Sequence, residues 1–364
     1  MFRDSSAYAD KRTLVFGVTY HGSTAEPQSG LDNVYGKHIS AGKLRVQLTW
    51  LARHFRVMTI AEILRRCREG NLPARTAFVA FHDGYAGNYH VAFPLLKELG
   101  IPADMLVPTA MVGTSCRFWV DVLDAALKHT DRRECSVRFE EEGLILPLET
   151  PEQRLEAAVL LRKHLKWQPE PVLEARLAQV LAQLGWDDPA GIPRLGEHET
   201  CLDWNQVREM AQAGIAIGSH THRHVICAQQ DAATVYLEMD TSRHVIQAET
   251  GQPCRVLCYP NGSYPRSGCD ATDVIARGVG YECVLYMMEG HNLVHPRTFR
   301  LTGTAFGEQD TLDHVKYSLS AWRFKVRQMR GRKLWKWNRD TVDEPILPFD
   351  QIPRITTLGT KKIC

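Results

Sequence analysis

Three histidines fall within five residues at positions 220, 222 and 224, at the end of the run IAIGSHTHRH from Ile215 to His224. The small and apolar residues that open this run read as a buried strand ending at Gly218-Ser219. A pair spaced i, i+4 meets on one face where the backbone turns helically. In that geometry His220 and His224 reach one ion and His222 points elsewhere. Neutral imidazole is a good ligand for Zn, Co and Ni. The plainer reading is a histidine-rich loop, and three histidines at a strand end weigh against it.

A carboxylate that could complete such a set lies in FVAFHDGY, where the apolar run Thr76 to Phe81 stops just before His82, Asp83 and Gly84. In parallel α/β folds the C-terminal strand ends form the active-site rim. Asp83 there would give two imidazoles and one carboxylate, with positions left open for water and substrate. Alone, Asp-Gly is an ordinary turn; beside the histidine cluster it reads as a ligand.

The surrounding elements suit that placement. Apolar residues recur at helical spacing over Leu44 to Phe55, Ile60 to Arg68 and Tyr89 to Leu99, the last ended by Gly100. Short apolar strands are expected at Thr13 to Tyr20, Thr76 to Phe81 and Ala103 to Pro108. The alternation resumes with a helix over Val207 to Ala213, a strand over Ile215 to Gly218 and a helix over Ala232 to Glu249. A strand at Val256 to Tyr259, a helix at Asp270 to Gly278 and a strand at Cys283 to Tyr286 follow. This order implies βαβ units around a parallel sheet. Between the two stretches, about 128–198, the chain is charged and helix-prone and reads as a helical insertion. The expected organisation is 1–127 and 199–310 as two parts of one barrel, 128–198 as the insertion and 311–364 as a basic tail.

With 364 residues, 44% of them hydrophobic and a net charge of +2, the chain can bury a large core and carries no overall field for nucleic acid. The N-terminus is polar, without the apolar core of a secretory signal, and no run is long enough to span a bilayer. The expectation is a cytoplasmic protein. The stretch Ser320 to Trp337 interleaves Arg and Lys with three Trp and one Phe. It is a candidate for peripheral contact with the inner membrane, or a solvated helix packing its Trp residues on the barrel. Ten scattered cysteines without a Cys-x-x-Cys pair read as reduced, mostly buried thiols.

Taken in order, FHDGY, GSHTHRH and VLCYPNGSY resemble the three motifs of the NodB-homology polysaccharide deacetylases, carbohydrate esterase family four. TYHGS at Thr19 to Ser23 and the segment Phe118-Trp119-Val120-Asp121 resemble a subfamily associated with exopolysaccharide and O-antigen synthesis. The resemblance spans about residues 13–305. It implies an α/β fold, an incomplete and distorted (β/α) barrel, and a divalent metal, zinc above all, held by Asp83, His220 and His224. Such a metal would activate water and polarise an acetamide carbonyl. A backbone N–H near Tyr259 would face the oxyanion, and His21, Trp119, Asp121, Asn261 and Arg300 would contact the sugar.

The chain departs from the family where the first motif normally carries two aspartates, because His82 occupies the position of the base. An imidazole titrates near neutral pH, at about 6.5 when unperturbed, so His82 is read as the catalytic base. A fourth metal ligand and a lost base stay open beside that. The arginine that orients the base is replaced by Cys258, and no late Leu-x-His motif supplies an acid; His21, His291 and His295 are candidates. The expected function is metal-dependent removal of an N-acetyl or similar small N-acyl group from a sugar in a glycan, glycan precursor or glycosylated metabolite. A weakly active or inactive sugar-binding protein and a metal-dependent amidase on a non-sugar amide are the alternatives.

Overall fold

The computed structural model describes residues 13–140 and 142–320. Its centre is the strand Thr76–Phe81, all six residues of which are buried. A strand covered on both faces has no polar side to present, which is why TAFVAF is a continuous apolar run. Thr13–Tyr20 pairs parallel to it on one side and Asp104–Val107 on the other. The sheet continues through Ala216–Ser219, Val256–Cys258, Cys283–Tyr286 and Arg300–Thr302, all parallel.

Closure comes from a short piece of chain. Arg300–Thr302 pairs with Cys283–Tyr286, and after Gly303 the strand Thr304–Ala305 pairs with Val18 and Thr19 of the first strand. A Cβ on Gly17 would meet the Thr302 carbonyl oxygen at 2.3 Å, and one on Gly303 would meet the Thr19 methyl at 2.4 Å. Bare backbone is therefore required where the last strand crosses onto the first. The antiparallel strand Asn292–Val294 flanks the first strand and makes the sheet mixed. Ala216–Ser219 and Val256–Cys258 share a single register pair, Leu257 with Ser219, so the barrel is distorted there. The architecture is a nearly closed, barrel-like sheet wrapped by helices, as the motifs imply.

The helices lie close to their expected bounds. Ile60–Arg68 is capped by the Thr59 hydroxyl, which accepts from the Glu62 N–H. Trp204–Gln212 starts on a reciprocal cap between Asp203 and Gln206. Ala232–Thr250 begins on Asp231 and ends at the left-handed Gly251. The helix expected over 89–99 opens instead with a π turn, Asn88–Ala92, before Phe93–Leu99.

The segment after the third barrel strand has its own hydrophobic core, including Leu123, Leu127, Phe139, Leu161, Leu165 and Val180. Helices Pro151–Leu165 and Glu170–Gln183 belong to it, as does Trp119–His129, which begins before residue 128. It also contains a hairpin that the helical reading missed, Glu134–Phe139 paired antiparallel with Glu142–Pro147. Its signal was a period of two, with Cys135, Val137 and Phe139 turned inward between exposed neighbours.

Among the described residues no helix is long and apolar enough to cross a membrane. The basic Trp-rich stretch, and with it the membrane-contact expectation, lies outside them from residue 321 onward. Eight described cysteines are free thiols, but Cys269 is disulfide-bonded, so the expectation of reduced cysteines throughout fails at that position.

Candidate metal centre at the barrel mouth

Asp83, His220 and His224 come from two crossings of the barrel far apart in sequence and meet at its C-terminal rim. The chain leaves Thr76–Phe81 through His82 and turns sharply at Asp83 and Gly84, which have φ values of 71° and 69°. It leaves Ala216–Ser219 directly into His220. The histidine pair does not converge on a helix as its spacing suggested. The backbone from 220 to 224 is irregular, with Thr221 and His224 both in the left-handed region at φ 65° and 66°. Such conformations are costly for residues with a Cβ and persist where surrounding contacts impose them.

Glu238 imposes this one. It lies on helix Ala232–Thr250, is 3% exposed, and its Oε2 accepts the backbone N–H groups of His222 and Arg223 at 3.0 and 2.7 Å. Its Oε1 accepts from Arg223 Nε at 2.7 Å. The Ser219 hydroxyl, paired with that of Ser242, accepts the Thr221 N–H at 3.1 Å. His222 is drawn away to Thr109, whose hydroxyl lies 2.8 Å from its Nδ1. Sequence reasoning missed Glu238 and Thr109. No spacing rule links residue 238 to residue 222, because the contact depends on how the helix packs.

The result is a three-atom cluster. Asp83 Oδ1 lies 3.1 Å from His220 Nε2 and 3.4 Å from His224 Nε2. Tetrahedral ligation with bonds of about 2.0–2.1 Å puts ligand atoms about 3.3 Å apart, so this spacing suits a single small cation. His220 Nδ1 donates to the Cys258 carbonyl at 2.8 Å, which leaves the lone pair on Nε2. That Nε2 is buried without a hydrogen-bond partner. A buried nitrogen facing a carboxylate oxygen yet not aligned to bond it is what a shared cation requires. The residues present therefore fit a divalent metal.

Burial alone would raise the Asp83 carboxyl, but His82, His220 and His224 around it hold it well below the usual carboxylate range. Burial alone would lower His220, but Cys258 and Asp83 outweigh that and raise it. His224 is lowered, by burial first.

His82 is fully buried and does not line the cleft. Its Nδ1 lies 3.1 Å from Asp83 Oδ1, and its Nε2 has no hydrogen-bond partner. His21, packed edge-on against it at 4.1 Å between ring centres, is the imidazole that faces the cleft. His21, His82 and Asp83 also have ligand atoms within 4.8 Å of one another. Burial, then the neighbouring His82, keeps His21 well below its ordinary value.

The cleft, about 750 Å³, is lined by Asp83 and His224, by His21, Trp119 and Asn261, and by residues of the insertion. Three other expected substrate or catalytic side chains are not brought to it. Asp121 is buried behind the wall, paired with Lys37 and accepting the Tyr85 hydroxyl at 2.9 Å. Arg300 is committed to Asp273 and, at 2.5 Å, to Asp270. Tyr259 is fully buried with its hydroxyl on Asp273 at 2.7 Å, and its N–H donates to the Leu285 carbonyl at 3.1 Å. The N–H of Tyr259 itself is thus consumed by the sheet. Two residues on, Asn261 sits at φ 61° in the cleft wall.

Residues 169–282 match the polysaccharide deacetylase family model, a stretch that holds the His220–His224 and Tyr259–Asn261 segments. The fold agrees with solved members. The Streptococcus pyogenes deacetylase PplD, in complex with acetate, superposes with a TM-score of 0.55 over 85% of this chain and 100% of that chain, at 15% identity. A polysaccharide deacetylase from Bacillus cereus gives 0.53 over 85% of this chain and 70% of that one, at 14% identity.

Over residues 169–282 the chain resembles the polysaccharide deacetylases, and its fold is theirs.

Among curated proteins, the poly-β-1,6-N-acetyl-D-glucosamine N-deacetylase of Staphylococcus aureus is 32% identical over 76 residues. That match covers 21% of this chain and about a quarter of the length of the curated relative, 26%.

Proposed function

We propose that this NodB-type chain is a metal-dependent hydrolase that removes an N-acetyl group from a sugar. The observation that carries the reading is the convergence of Asp83 Oδ1 with His220 Nε2 and His224 Nε2, 3.1 and 3.4 Å apart, beside an open cleft. Asp83, His220 and His224 would hold the metal, zinc being the best match to two imidazoles and one carboxylate. Bound there, a divalent cation would supply Lewis-acid polarisation of the acetamide carbonyl and a more acidic water.

The chain's own groups do the rest. His21 faces the cleft as a neutral imidazole, takes the proton of the attacking water and passes it to the amine nitrogen as the C–N bond breaks. His82, buried behind it, positions His21 and Asp83 rather than meeting substrate. The N–H of Asn261, which has no backbone partner among the described residues, would donate to the developing oxyanion. Trp119 offers an apolar face to the sugar ring. The reaction yields acetate and a free amine. The relatives named above support N-acetylated sugar as the substrate class.

The test is metal analysis and acetate release with Asp83→Ala and His220→Ala. Each variant should lose stoichiometric metal and acetate release from N-acetylated sugar oligomers. Stoichiometric metal retained by both would refute the ligand assignment. Wild type that holds metal but releases no acetate would make it a sugar-binding protein.

A further inference from the structure

Six cations line the cleft, Lys37, Arg117, Arg162, Lys163, Lys166 and Arg223. Four cations that line it are committed: Lys37 to Asp121, Arg117 to Glu199, Arg162 to Asp124, and Arg223 to Glu238 and Glu170. Lys163 and Lys166 line the same cleft and have no ion-pair partner among the described residues. Lys166 follows helix Pro151–Leu165 and is only partly exposed. Beside it, the Arg266 guanidinium stacks on the Trp167 ring at 4.2 Å from its centre. Arg266 belongs to the loop after Val256–Cys258, so barrel and insertion each bring a cation to the Trp167 ring, at the edge of the cleft that Lys166 lines.

Mutual repulsion shows in the field on Lys166. Burial first, then Arg162 and Arg266, push its ammonium below the ordinary lysine value, and Asp83 alone among the acids pulls the other way. A cation at a helix C-terminus is favourable with the helix dipole. That accounts for a solvated lysine such as Lys163, but not for a second cation beside Arg266 on one indole, where Lys166 Nζ lies 5.3 Å from the Trp167 ring centre. Such an arrangement costs energy until an anion enters. A planar guanidinium fixed on an indole is preorganised for the paired oxygens of phosphate or carboxylate.

We propose that the insertion and the loop after Val256–Cys258 form an anion subsite, in which Lys166 and Arg266 hold a phosphate or carboxylate carried by the substrate sugar. The acetamide of that sugar lies toward Asp83 and His224, in the same cleft. The subsite rests on the deacetylase reading for the sugar, but not for the anion.

Isothermal titration of the full chain with N-acetylglucosamine 1-phosphate, N-acetylmuramic acid and neutral N-acetylglucosamine separates the two ideas. At least one of the anionic sugars should bind about tenfold or more tightly than the neutral one, and the preference should shrink with salt. Preference for the phosphate or for the carboxylate names the source of the anion. Lys166→Gln and Arg266→Gln should each erase most of that preference and leave neutral-sugar binding unchanged, while Lys166→Arg restores it. Thermal unfolding checks that each variant is folded. Equal affinity for all three sugars, or a preference untouched by both Gln variants, overturns the subsite and leaves these cations to the helix end. Acetate release, followed in parallel, reports on the deacetylase reading alone: anion preference without any acetate keeps the subsite and sinks the enzyme.

Discussion

Glu238→Ala should damage a metal site that it does not touch. The carboxylate is 3% exposed and holds the backbone of residues 222 and 223 by two charge-assisted hydrogen bonds at 3.0 and 2.7 Å. Each such bond contributes about 1.5–3 kcal/mol. Its third partner, the Arg223 side chain, is about half exposed and adds little. The two backbone bonds therefore set the cost of the alanine variant at about 3–6 kcal/mol. They also hold a segment in which Thr221 and His224 carry left-handed conformations worth about 1–3 kcal/mol each. Without the anchor the segment relaxes and carries His224 away from Asp83. Loss of a group that orients a ligand costs about 10–100-fold in metal affinity. Zinc affinity by competition with a chromophoric chelator, beside denaturant unfolding of the metal-free chain, reads both effects. Glu238→Gln keeps one acceptor oxygen and should fall between wild type and alanine on both scales. If the alanine variant lost stability yet bound zinc as tightly as wild type, Glu238 would be a structural residue only and the account of how the ligands are gathered would be wrong.

His21→Ala should lower acetate release about 100-fold or more with metal content intact, whereas His82→Ala should act more weakly and through KM or metal affinity. Full activity of the His21 variant with an inactive, metal-loaded His82 variant would reverse the two roles. Asp104 offers a stability test away from the cleft. It is fully buried, accepts the Ile60 N–H at 3.0 Å, and burial pushes its carboxyl up to about 7. A carboxyl raised in the folded state holds its proton longer than in the unfolded chain, so its stabilising effect is complete below about pH 4 and is lost as pH rises to about 7. Urea unfolding at pH 5 and pH 8 should therefore show Asp104→Asn gaining on wild type by at least about 1.4 kcal/mol between the two values. A constant difference would show that Asp104 titrates normally.

The sequence alone determined the parallel barrel and the identity of its metal-ligand candidates. Both depend on short-range rules: buried parallel strands must be apolar throughout, as in Thr76–Phe81, and a carboxylate or imidazole just past such a strand stands at the rim. The charged hairpin Glu134–Pro147 was hidden because its signal is a weak alternation inside a polar stretch. Tertiary structure decided how the ligands meet and which neighbours face substrate. His220 and His224 converge through left-handed backbone pinned by Glu238, a helix residue whose partner no local pattern names. His82 turns into the core while His21, from the other end of the sequence motifs, turns to the cleft. Tyr259 spends its N–H on the sheet and Arg300 its charge on Asp273. Residue type and spacing state which atoms could do chemistry; the packing of distant elements sets the direction in which each one points.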